Sequence, residues 1–99
     1  MKNYIVKITL QIGEYEKGTT TLVKANDKSS AGKFALALEC HGNATFEDND
    51  LVWDMHGEMA YSVWSIEEVS DDDFNVLKKY HNVFTFDQQT IDDILAEHS

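Results

Sequence analysis

From Tyr4 onward, apolar side chains occupy every second position: Tyr4, Val6, Ile8, Leu10 and Ile12, with Lys7, Thr9 and Gln11 between them and Ile5 the one exception. This period of two describes a strand with one buried face, because an amphipathic helix repeats its apolar residues at three and four. The pattern predicts a strand over residues 3–12. A half-buried strand needs a neighbouring strand and a covering layer. Gly13 and Gly18 bracket a short connection, and residues 19–25 carry three threonines and a valine. That β-branched content predicts a second strand, closing an antiparallel hairpin.

Residues 26–30 (Asn-Asp-Lys-Ser-Ser) are rich in side chains that cap helices. Ala31, Phe34, Ala35 and Leu38 follow at helical spacing, and Gly42 supplies a stop. A helix is expected over residues 29–41. Residues 43–50 read as an acidic loop with a short strand around Phe46. Leu51, Trp53 and Met55 alternate up to His56-Gly57 and predict a strand with those three on its apolar face. Residues 60–69 form another, with apolar residues on both faces, so it is expected to be central or to have its outer face covered. Ser70 caps a helix opening Asp71-Asp72-Asp73, with Phe74, Leu77 and Tyr80 or His81 as its buried stripe. Residues 83–86 read as a link or edge strand. Asp87 or Thr90 caps a last helix facing inward through Ile91, Ile94 and Leu95. With 99 residues, the chain fits one domain spanning residues 1–99 and one core. The fold class expected is α+β: an antiparallel four-stranded sheet with helices mainly on one face, in the order β-β-α-β-β-α-α.

Residues 1–7 contain no unbroken apolar run and the longest apolar stretches are a few residues, so neither a signal peptide nor a membrane span is expected. The single cysteine, Cys40, fits a reducing compartment, and a cytoplasmic protein is the expectation.

Little in the chain suggests catalysis. The stretch from Gly13 to Thr20 has the glycine spacing of a phosphate-binding loop, but Thr19 stands where the lysine is needed and two acids line the loop. A hairpin turn explains it better. Cys40 and His41 are adjacent, so on a helix their side chains diverge by about 100° and do not form a nucleophile–base pair. His41, His56, His81 and His98 are scattered, and Asp54 with His56 makes two ligands where a metal site needs more. Asp48-Asn49-Asp50 begins like a calcium loop, yet Trp53 replaces the sixth-position glycine and Met59 the final glutamate. No enzyme activity, metal or cofactor is expected.

The charge is more informative. Eighteen acids against eight bases, all lysine, give −10, which disfavours direct binding to nucleic acid or an anionic membrane. Residues 1–40 hold six lysines and four acids, a net of +2; residues 41–99 hold two lysines and fourteen acids, a net of −12. Asp71, Asp72, Asp73, Asp87, Asp92 and Asp93 have a local reason at helix starts. The remaining eight are Glu47, Asp48, Asp50, Asp54, Glu58, Glu67, Glu68 and Glu97, interleaved with Phe46, Trp53, Tyr61 and Trp64. Aromatics within a charged rim compose protein interfaces. The partner-binding residues expected are Glu47, Asp48, Asp50, Trp53, Asp54, Glu58, Tyr61, Trp64, Glu67, Glu68, Asp71 and Asp72.

The strand Tyr4-Ile5-Val6-Lys7-Ile8, the threonine-rich strand from Thr19, and the serine-capped, alanine-rich helix from Ser29 to Cys40 resemble, in that order, the small acidic phage-encoded anti-CRISPR proteins. The resemblance covers residues 3–46 and rests on no signature motif, so no functional residue carries over by position. It implies an inhibitor that binds an RNA-guided surveillance complex and blocks its DNA-binding channel. The function expected is therefore a non-catalytic inhibitor presenting a nucleic-acid-like negative surface to a basic host protein. The alternative is a small acidic regulatory or assembly module that self-associates as a homodimer.

Overall fold

The computed structural model describes residues 1–40, 44–48, 50–54 and 57–94, the side chain of Asp48 excepted. Expectations placed on His41, Gly42, Met55, His56, Leu95, Glu97 and His98 lie outside the described residues.

β1 (Lys2–Ile12) turns directly into β2 (Tyr15–Ala25). They pair antiparallel along their whole length, from Lys2 opposite Ala25 to Ile12 opposite Tyr15. The second strand thus begins four residues before the predicted Thr19. Gly13 makes this possible: its φ of 59° is the left-handed conformation that a two-residue hairpin requires. α1 (Lys28–Glu39) follows. Asp27 caps it, its carboxylate accepting from the Ser30 N–H at 2.7 Å. Its last helical residue is Glu39, two residues short of the expected end, and the extended Cys40 caps it.

The remaining elements are β3 (Thr45–Asp48), β4 (Leu51–Asp54), β5 (Met59–Val69), α2 (Asp71–Leu77), β6 (Val83–Thr85) and α3 (Gln88–Ile94). The α+β class is as expected, but the sheet is mixed and has six strands in the order β3-β4-β5-β1-β2-β6. The expected four strands undercount it. Both additions, β3 and β6, are only three or four residues long; they fall on the short strand expected around Phe46 and on the link or edge strand at 83–86, which the count of four leaves out. β6 also runs parallel to β2, because α2 carries the chain back before it joins the edge.

The core lies on one face of the sheet. There Tyr4, Val6 and Ile8 of β1, Val23 and Ala25 of β2, Val52 of β4 and Tyr61 of β5 meet Phe34, Ala35 and Leu36 of α1 and Ile91 of α3. Alanines at positions 31, 35 and 37 are fully buried and let α1 approach the strands closely. The Phe34 and Phe86 rings contact at 5.6 Å.

One register differs from expectation, and β5, interior to the sheet as expected, carries a bulge. In β4, Val52 and Asp54 are buried while Trp53 is exposed, so the predicted apolar face through Leu51 and Trp53 is inverted. Pairing with β5 decides this, since Val52 lies opposite Tyr61 and shares its core face. In β5 a register shift falls between the Lys7–Ser65 and Ile8–Val63 pairs, making Trp64 the extra residue of a bulge. The bulge moves the core-facing set from Tyr61 and Val63 to Ile66. That explains the apolar residues on both apparent faces.

α2 covers the opposite face. Asn3 donates to the Asp71 carboxylate, and Lys24 lies over the Phe74 ring at 5.4 Å. Phe74 and Leu22 are buried there, outside the main cluster. Phe74 is the one buried residue of α2. The helix ends at Leu77, before either Tyr80, 78 % exposed, or His81, so the expected stripe does not continue to Tyr80 or His81.

Candidate partner-binding site

The twelve residues singled out by the sequence separate into groups. Asp54 and Tyr61 point into the core and are buried, away from any exposed face. Glu58 is exposed beside the start of β5. Nine residue steps separate it from Glu67, about 30 Å at ~3.4 Å per residue. Glu47 accepts the Trp53 indole N–H at 3.2 Å, so these two form a pair on the β3–β4 hairpin. Phe46 is half-buried under the Lys33 ammonium.

The others gather around the second half of β5. β4 pairs with β5 only from Met59 to Ser62. At its end the Asp50 carbonyl accepts from the Val63 N–H at 2.8 Å. Beyond that point, among the described residues, no strand flanks β5 on this side. Asp50 marks the beginning of the uncovered stretch, and Glu67 and Glu68 lie along it. Asp71 and Asp72 stand at the head of α2 immediately after it, where carboxylates also complement the helix dipole. The Ser70 hydroxyl accepts from the Asp73 N–H at 3.2 Å, fixing the direction in which α2 leaves. From the level of Asp50 to that of Glu67 is about 10 Å, three steps along the neighbouring β1 from Ile8 to Ile5. Trp64, 72 % exposed, sits on the bulge within this span.

Lysines temper the acid. Lys2 reaches Glu68 at 3.9 Å, a solvent-exposed pair of small energetic weight. Lys7 lies over the Trp64 ring at 5.5 Å, holding the indole against the sheet without covering it. No family model, no curated protein and no solved structure matches this chain. Among the described residues no three His, Cys, Asp or Glu side chains are placed to hold a metal ion, and no helix is long and apolar enough to cross a membrane.

Below the sheet, burial pushes the Cys40 thiol up to about 12, with the nearby Asp54 and Glu39 carboxylates adding to the effect. The Tyr61 phenol is likewise pushed up to about 12 by burial and by Asp54. Cys40 donates its S–H to the Leu36 carbonyl at 3.3 Å. Both groups stay neutral at physiological pH, and a protonated, hydrogen-bonded thiol is a poor nucleophile.

Sequence reasoning missed the bulge that presents Trp64 and the lysine that rests on it. The only available signal was the two-sided apolar pattern of residues 60–69.

Proposed function

We propose that the chain is a non-catalytic binding protein whose acidic rim, Asp50, Glu67, Glu68, Asp71 and Asp72, engages a basic surface on a nucleic-acid-binding protein and so competes with nucleic acid. The observation that carries this reading is the rim itself. These carboxylates follow the open side of β5 beyond Val63 and the helix start after it: Glu67, opposite Ile5, faces the α2 side, Glu68, opposite Tyr4, faces the α1 side, and the exposed Trp64 lies among them. An extended line of negative charge suits a lysine- and arginine-lined groove, where complementarity gives fast, specific association. The DNA-binding channel of an RNA-guided surveillance complex, implied by the resemblance of residues 3–46, is one groove of that kind.

The test is capture from a host lysate at about 0.05 M and about 0.5 M salt, with duplex DNA as competitor. The reading expects a nucleic-acid-binding protein retained at low salt, released at high salt and displaced by DNA. Retention indifferent to both salt and DNA overturns it.

A further inference from the structure

The sheet has a second uncovered stretch, on its other side. β6 pairs with Leu22, Val23 and Lys24 only, and among the described residues no strand flanks β2 from Tyr15 to Thr21. The Leu22 N–H donates to the Asn82 carbonyl at 3.3 Å, and the Lys24 carbonyl accepts from the Phe86 N–H at 2.8 Å. Even-numbered residues of β2 therefore turn their backbone groups away from β1. By strand alternation, Glu16, Gly18 and Thr20 present free N–H and C=O groups to the open side. Such a row is a template for another strand.

We propose that the occupant is the same edge of a second copy, with the two β2 strands antiparallel about a two-fold axis at Gly18. In this register Tyr15 faces Thr21, Glu16 faces Thr20 and Gly18 faces its counterpart. The whole open stretch is used, and it ends where β6 begins. All three outward-facing residues of each chain exchange hydrogen bonds, and the two six-stranded sheets become one.

Three further features fit this occupant. Tyr15 is 58 % exposed and shares the helix-side face with Ile12 opposite it. Across the axis it falls beside Thr21, at a depression of about 320 Å³ lined also by Leu38, Tyr80, His81 and Phe84. On the other face Glu16 comes alongside Thr20, an uncharged neighbour, so no two carboxylates are set face to face across the axis. Among the described residues nothing requires glycine at position 18: an added Cβ would meet the Ile8 carbonyl oxygen alone, at 3.9 Å. At a two-fold axis, glycine lets the strands approach closely. The edge also belongs to residues 1–40, whose net charge is +2, and β3, β4 and β5 remain at the far ends of the joined sheet.

Sedimentation equilibrium of the full chain at about 100 µM tests the proposal. The expected mass is twice the 11.3 kDa of one chain, with association unchanged or tighter as salt rises. Tyr15→Ala is expected to weaken the dimer by about tenfold or more. Thr20→Pro removes an outward N–H that β1 does not use, and Gly18→Lys sets two like charges face to face. Both are expected to be monomeric with wild-type circular dichroism. Gly18→Cys in a Cys40→Ser background is expected to oxidise to a disulfide-linked dimer, since the facing Cα atoms of such a pair are about 5.5 Å apart. A wild-type chain that stays at 11.3 kDa up to about 1 mM overturns the proposal. So does a dimer that survives both folded edge variants.

Discussion

At the scale of single residues, the best-defined chemistry lies in the core rather than on the surface. Cys40 and Tyr61 are both held neutral, first by burial and then by the Asp54 carboxylate. An acid whose folded pKa is raised contributes stability below its unfolded pKa and loses it as pH climbs through the folded value. From the ordinary thiol and phenol values to about 12, the fold is therefore expected to weaken steadily with rising pH. Chemical denaturation between pH 8 and about 11 checks this. Cys40→Ala should flatten the lower part of the decline, and a wild-type profile level across that range contradicts the burial argument. Thiol labelling at pH 8 is also expected to be at least about 100-fold slower in the native protein than in denaturant. Asp27 shifts in the opposite direction: its hydrogen bonds to Ser30 hold the carboxyl below its ordinary value. Its capping contribution is present above the unfolded pKa and lost as pH falls through the folded one, and Asp27→Asn is expected to keep the cap while removing that acid sensitivity. Asp54 shows where the sequence was silent. One shift of register in β4 sends every side chain to the other face, and nothing near Asp54 announces which face Tyr61 will share.

At the scale of elements, what could be read locally and what could not divide along contact range. The β1 alternation from Tyr4 to Ile8, the Ser70 cap and, to within one residue, the start of α1 rest on neighbours within four residues and follow the pattern, whereas Ile12 at the end of the alternation is exposed. The bulge at Trp64, the parallel pairing of β6 and the side of the sheet that α2 covers depend on partners far along the chain. α2 is the clearest case. Seven residues is too short for a helix to persist alone in water, and its attachment rests on Phe74 beneath Lys24, on Asp71 bonded to Asn3, and on the Ser70 cap. Phe74→Ala is expected to cost about 3 kcal/mol, and Ser70→Ala about 1 kcal/mol. Hydrogen exchange should show the loss concentrated at residues 71–77 and at Leu22, with the α1-facing core protected as before. A uniform loss across the sheet would mean that α2 and the main core form one cooperative unit.

At the scale of the molecule, charge and shape act together. The chain is a slab of 42 × 31 × 19 Å with its two uncovered half-edges diagonally opposed, one beside acids and one in the near-neutral hairpin. The split between the first forty residues and the rest was legible as arithmetic, but its division between two sheet edges was not, because strand order is set by pairing. A net of −10 also means that the folded state repels itself, so the melting temperature is expected to rise between about 0.02 and about 0.5 M salt as screening shortens the Debye length. The triple change Glu67→Lys, Glu68→Lys and Asp72→Lys takes the net charge from −10 to −4, at two units per substitution, and spares Asp71, which is bonded to Asn3. This variant should melt with a weaker salt dependence and fold normally. It should also lose a basic partner while its mass in solution stays that of the wild type, because the altered residues lie on the half-edge away from Gly18. Salt separates the two surfaces in the same way: binding through the acidic rim weakens as it rises, whereas pairing through β2 holds or tightens. If one salt titration weakened both together, the two edges would be a single interface, and the diagonal arrangement of the sheet would have no functional meaning.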